Sequence, residues 1–313
     1  MQYQVNGKNI PNIAVGTWAW GSGINGSKMV FGASPDESEL KRAFNTAYKN
    51  GFILYDTAAV YGMGNAEKIL GKFAADNGII LSDKFTPKKR FNSDLIEKKL
   101  TESIDRLKGI IPDIYWLHLP LNIKENLSYM CSLQKSHKIG SIGVSNFSIE
   151  QVKIAEKILS ENGCKLAGVQ NHYSLIYRKH EKSGLVDYCR ENNIPFFSYM
   201  ILEQGALSGR FNSKNGFPKF SRRGIAFSKS KLKHLEPLHN ELRFIGENYG
   251  LSISETALLW AISKGTVPIV GVTKEYQAES FLKLKNIIFT KAEIEILEKT
   301  AQDTGVEIAG SWE

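Results

Sequence analysis

The chain has 313 residues, 42% of them hydrophobic and 23% charged, a balance that supports a large buried core and excludes disorder and fibrous structure. Its formal charge is +8, but the bases are spread along the chain without an aromatic-interleaved RNA motif or a recognition-helix pattern, so a small anionic ligand fits better than nucleic acid. No apolar run approaches the ~18 residues of a membrane span.

Residues 1–10 are polar and lack a secretory h-region, so a cytoplasmic protein is expected. An N-terminal β-hairpin is predicted from residues 3–5, an Asn6-Gly7 turn and residues 8–10. Short apolar runs then predict strands over 13–17, 52–57, 79–85, 114–119, 141–145, 167–171, 195–199 and 267–272. Amphipathic segments between them predict helices over 36–50, 66–77, 93–108, 124–136, 149–162, 180–193, a pair within 233–264, 275–284 and 291–300. Ser93, and Ser148 with Gln151, read as helix N-caps, and Gly51, Gly78, Gly109, Gly140, Gly163 and Gly250 as left-handed helix ends. Eight βα repeats with strands apolar on both faces indicate an α/β fold, a (β/α)8 barrel in one domain spanning 1–313. The alternative is a doubly wound sheet, but no G-x-G-x-x-G follows the first strand.

Cys131, Cys164 and Cys189 have neither C-x-x-C spacing nor a nearby His pair; they read as reduced thiols, and no metal site is expected. Between Arg210 and Lys233 the chain carries Lys214, Lys219, Arg222, Arg223, Lys229 and Lys231 and no acid, which suits a solvated loop as well as a phosphate clamp.

A barrel concentrates function where strands end and βα loops begin. Asp56 ends the second predicted barrel strand with Tyr61 in the loop after it, while Lys84 and His118 close the third and fourth. Each alone has an ordinary structural reading. Four acid–base residues on one rim do not, because independent accidents would scatter between both rims.

The segments Asp56-Thr57-Ala58-Ala59-Val60-Tyr61-Gly62, Lys84, Leu117-His118-Leu119-Pro120 and Gly143-Val144-Ser145-Asn146-Phe147 together resemble the signature of the aldo-keto reductase superfamily. The resemblance continues through Gly16-Thr17-Trp18, Val169-Gln170-Asn171, residues 199–209 and 268–274, covering essentially the whole chain. It implies NADPH-dependent reduction of aldehydes or ketones to alcohols by hydride transfer, with Asp56, Tyr61, Lys84 and His118 as the catalytic tetrad.

Tyr61 would give the proton. A free phenol titrates near ~10, so matching it to neutral pH asks for on the order of 4 kcal/mol. An ammonium about 4 Å away at an effective dielectric of ~20 supplies roughly that. Lys84 would be this source, Asp56 would hold it charged, and His118, neutral or cationic, would orient the substrate oxygen.

The resemblance places the nicotinamide carboxamide of NADPH/NADP+ against Ser145, Asn146 and Gln170, with its ring face on Tyr199. Gly16, Thr17, Trp18 and Asp56 would border it. Leu202, Gln204, Gly205 and Leu207 would hold the pyrophosphate, with Arg210 closing over the cofactor. Gly271, Thr273 and Lys274 would meet the 2′-phosphate, and Gln277 and Ser280 the adenine; Ser280 and Tyr276 stand where Asn and Arg are usual, which bears on the strength of the NADPH preference.

Trp18, Trp20, Tyr61, His118 and Leu119 are expected to line a pocket for a small-molecule carbonyl, small or aromatic rather than steroidal. Leu119 and His172 depart from the familiar pattern and could shape that pocket, whereas Trp116 reads as barrel filling. The alternative function is a nicotinamide-binding regulatory subunit with slow turnover, and a third, disfavoured, is an aldolase or isomerase using Lys84 as a Schiff base. The oligomeric state, monomer or small homo-oligomer, is open.

Overall fold

Two strands, β1 (Gln4–Val5) and β2 (Lys8–Asn9), pair antiparallel around Asn6 and Gly7, which both take the positive φ (48° and 73°) of a tight Asn-Gly turn. The computed structural model describes residues 3–310 apart from Asp76 and Lys219. After the hairpin come β3 (Ala14–Gly16), β4 (Leu54–Asp56), β5 (Ile80–Phe85), β6 (Ile114–Leu117), β7 (Ser141–Ser145), β8 (Leu166–His172), β9 (Phe196–Tyr199) and β10 (Val267–Gly271). Each pairs in parallel with the next, and β10 returns to β3, closing an eight-stranded barrel. The strands fall inside or beside all eight predicted segments.

The barrel is filled, not hollow. Ala14, Leu54, Ile80, Ile114, Trp116, Phe197, Val267 and Ile269 form its interior, and Val5 and Ile10 of the hairpin join them. The hairpin is pinned at the strand starts: Lys8 Nζ donates to the Ile79 carbonyl (2.8 Å) just before β5 and pairs with Asp113 just before β6. It therefore plugs the N-terminal face and leaves the opposite rim free. Inside, Trp116 fits because β7 carries Gly143 beside it; a Cβ there would lie 2.3 Å from the indole.

Helices pack their apolar faces around the barrel and form the larger core layer with the outward side chains of the strands. The Ser148–Gln151 capping box forms as read, whereas Ser93 is the first helical residue and Asn92 caps the Leu95 amide. The expected helix over 180–193 is two, Lys179–Lys182 and Leu185–Glu191, parted by Gly184 at φ 80°. Gly78 and Gly140 are not left-handed; His137 (φ 56°) turns the chain before Gly140, whose own space is taken by the Asp113 carbonyl. Short helices at Ser27–Phe31 and Arg222–Ala226 pack on each other and had no periodicity to announce them.

Among the described residues no helix is long and apolar enough to cross a membrane. All three cysteines are buried free thiols, and burial pushes Cys131 and Cys189 up to about 12, where they are unreactive.

Candidate active site

Asp56 is the last residue of β4, Lys84 lies one residue from the end of β5, and His118 directly follows β6. Tyr61 opens a tight turn after β4 that depends on Gly62: its φ is 58°, and a Cβ there would sit 2.6 Å from the Ser22 carbonyl. The barrel thus brings all four acid–base residues to its C-terminal rim.

Lys84 Nζ, fully buried, bonds an Asp56 carboxylate oxygen, the Thr57 carbonyl (2.8 Å) and the Tyr61 hydroxyl (3.3 Å). The other Asp56 oxygen accepts from Ser82 Oγ (2.7 Å) and Gln170 Nε2 (3.0 Å). Ser82 accepts in turn from Trp116 Nε1 (2.6 Å), so the tryptophan expected to fill the barrel also anchors the carboxylate. A buried carboxylate with this many donors has its hydrogen bonds satisfied and is held in place.

Burial works against the charge on Lys84, but Asp56 and Tyr61 together outweigh it and the lysine pKa is raised. Burial also pushes the Tyr61 phenol up; Lys84 pulls it down without prevailing, and Asp56 adds to the rise, so the phenol lies above its ordinary value. This corrects the expected lowering toward neutrality, because desolvation was left out of that reckoning. Burial, with Lys84 second, pushes His118 down to about 3, so the imidazole is neutral, with Thr86 Oγ1 2.9 Å from Nδ1.

A cleft of about 1020 Å³ opens over the tetrad. Gly16, Trp18, Asp56, Tyr61 and His118 line one end, and Trp18 stacks on Tyr61 with ring centres 5.8 Å apart. Gln170, Tyr199, Leu202, Gln204, Gly205, Arg210, Gly271, Thr273, Lys274, Gln277 and Ser280 line the rest of it, Gly271 being the register partner of Gly16. The remaining expected residues lie behind this surface. Thr17, Ser145 and Leu207 are fully buried, Thr17 Oγ1 donating to the Asp56 carbonyl (3.0 Å). Asn146 links the His118 carbonyl (2.9 Å) to the Tyr199 hydroxyl (2.6 Å).

Three residues read toward the substrate pocket do not line this cleft. Trp20 is buried against Tyr55 and Phe73 with its N–H on the Val272 carbonyl, Leu119 is half-buried and outside the cleft lining, and His172 is buried in a pair with Glu203. A strand-adjacent position alone did not tell which way these side chains point.

Arg223, read in the sequence only as part of the basic tract, and Glu39, which the sequence reading did not name, also line the cleft. Arg223 lies over Phe211 and Phe217 (4.9 Å to each ring centre) and donates to the Gln204 carbonyl (3.2 Å). Glu39 pairs with Lys274. Of the basic tract, Arg210 and Arg223 line the cleft; Lys214, Arg222 and Lys229 are exposed, Lys231 is half-buried outside the lining, and Lys219 lies outside the described residues. Nothing in the sequence near Glu39 pointed to Lys274, 235 positions away.

The model of the Aldo/keto reductase family matches residues 12–302. The chain belongs to the aldo/keto reductase family. Membership makes it an oxidoreductase. It is 28% identical to the chloroplastic pyridoxal reductase of Arabidopsis thaliana over 95% of this chain and 84% of that protein. It is likewise 28% identical to the aldo-keto reductase YhdN of Bacillus subtilis over 87% and 84%. The fold matches that of the glycerol dehydrogenase AKR11B4 from Gluconobacter oxydans, with a TM-score of 0.82 at 24% identity, covering 97% of this chain and 95% of that one. A Klebsiella pneumoniae aldo/keto reductase, solved in complex with NADP and acetate, gives a TM-score of 0.71 at 20% identity, covering 95% and 94%.

Proposed function

We propose that this aldo/keto reductase is a single-domain, cytoplasmic enzyme that reduces small aldehydes or ketones to alcohols with NADPH. The observation that carries the reading is the Lys84 ammonium held by Asp56 and placed 3.3 Å from the Tyr61 hydroxyl at the wall of a long cleft. The cleft suits a polyanionic dinucleotide, since Arg210, Arg223 and Lys274 all line it. Two polar atoms there, Gln204 Oε1 and Arg223 Nε, are buried with no hydrogen-bond partner among the described residues, as fits a site completed by a ligand.

Reduced nicotinamide supplies the hydride in such a reaction. Tyr199 is the ring platform in this reading, fixed by its hydroxyl on Asn146, while Gln170 lies beside it on the cleft wall. Trp18 stacks on Tyr61 and shields the reacting oxygen from water. Tyr61 Oη holds the proton and releases it to the substrate oxygen as negative charge develops, and Lys84 stabilises the phenolate left behind. In the tautomer that accepts from Thr86 at Nδ1, neutral His118 carries an Nε2–H that orients the carbonyl.

NADPH oxidation followed by absorbance with 4-nitrobenzaldehyde and a panel of small ketones tests this reading. Many turnovers per minute with at least one carbonyl are expected. Tight NADPH binding with scarcely any turnover across the panel would replace it with the regulatory-subunit reading.

A further inference from the structure

Behind Tyr199 lies a buried polar cluster that the tetrad does not use. The His172 ring stacks on Tyr199 (ring centres 5.5 Å, planes 22° apart) and is backed by Tyr177 (4.0 Å, 12°). His172 Nε2 lies 2.8 Å from Glu203 Oε1, the same oxygen that accepts from Ser174 Oγ. Both His172 and Glu203 are fully buried. Glu203, at φ 46°, starts the loop whose next residues, Gln204 and Gly205, line the cleft.

The hydrogen bonds set the charge of this cluster. His172 Nδ1 is buried and has no hydrogen-bond partner among the described residues. A neutral imidazole that gives its one N–H to Glu203 leaves only a bare lone pair at Nδ1, in keeping with that unpartnered atom. The cluster then carries one net negative charge, with the Glu203 carboxylate satisfied by two donors. Arg223, the cation on the adjoining loop, donates to the Gln204 carbonyl and forms no salt bridge with Glu203 among the described residues.

We propose that the Glu203–His172 pair is a positioning and tuning device: through the Tyr199 platform it favours the cationic, oxidised nicotinamide over the neutral, reduced one. The proposal rests on the placement of the nicotinamide against Tyr199. The oxidised ring carries a positive charge that the reduced ring lacks, so a carboxylate behind the platform stabilises the product form of the cofactor and eases hydride donation. A purely structural role for the pair would hold both forms equally.

Dissociation constants of NADP+ and NADPH, measured on the full chain by tryptophan-fluorescence titration, separate these. Glu203→Gln keeps the shape and removes the charge. It is expected to weaken NADP+ roughly tenfold more than NADPH, the order of effect of one unit charge across two stacked rings at an effective dielectric of ~20. Glu203→Asp and His172→Gln, which keep the carboxylate, are expected to retain the wild-type ratio within about twofold, and they serve where Glu203→Gln folds poorly: a changed ratio in either contradicts the charge argument. Equal weakening of both cofactor forms in Glu203→Gln overturns the proposal. Tyr199→Ala checks the placement separately. If it leaves both affinities unchanged, the platform reading itself fails; if it weakens both while Glu203→Gln leaves the ratio unmoved, only the tuning role fails.

Discussion

Tyr61, Lys84 and His118 owe their protonation states to one another and to burial, and each state has a measurable consequence. His118, pushed down to about 3, is neutral from pH 5 upward, so kcat/KM for a neutral aldehyde should show no step near pH 6.5. Tyr61 lies above its ordinary value, so its proton is fully in place below pH ~10; the rate should stay level to about pH 9 and fall only beyond it. A descending limb near pH 7 in the free enzyme would contradict that order of effects. Lys274 and Glu39 give a second case. A carboxylate already paired with the lysine repels an incoming 2′-phosphate, so Glu39→Gln should tighten NADPH severalfold and leave NADH nearly unchanged, while Lys274→Ala should weaken NADPH more than NADH. Equal shifts for the two cofactors would show that neither side chain meets the phosphate. That Asp56, Tyr61, Lys84 and His118 share one rim was legible in the sequence, because the end of a barrel strand fixes the rim on which a side chain lies. The pairings of Glu39 with Lys274 and of Glu203 with His172 were not, because only the closed fold brings those distant segments together.

The strands were legible for a related reason: in a parallel barrel each strand is covered on both faces and reads as an apolar run. Where the reading failed, a local feature had no pattern of its own. Gly184 splits a continuous amphipathic stretch, and the Ser27–Phe31 and Arg222–Ala226 helices exist through contact with each other. Strand β7 shows how one element serves the site at a distance. Gly143 leaves room for Trp116, Trp116 holds Ser82, and Ser82 holds Asp56. Gly143→Ala should therefore cost about 1–3 kcal/mol by overpacking and also lower kcat, as Asp56 loses its support. A variant that melts and turns over like wild type would break this chain of contacts.

Beyond the site, the molecule also buries Asp83. Asp83 points away from Lys84 toward the helix layer, where burial and then Glu67 raise its pKa well above the ordinary value; Arg106, bonded to Glu67 at 2.6 Å, offsets this only in part. A raised carboxyl costs nothing below its unfolded pKa of ~3.9, and the protein loses stability as pH rises from there toward the folded value. Asp83→Asn should accordingly melt higher than wild type at pH 8, with the difference shrinking toward pH 4. A constant difference, or none, would mean that Asp83 is ionised and supported in the fold.

The central claim is that Tyr61 supplies the proton to a carbonyl reduced by NADPH, and Tyr61→Phe removes only the hydroxyl that does so. NADPH oxidation with an aldehyde that the wild type reduces, run side by side on the two proteins, should show kcat fall by about 10² to 10⁴ while NADPH affinity stays within about twofold. Wild-type turnover in the phenylalanine variant would contradict the assignment of the tetrad.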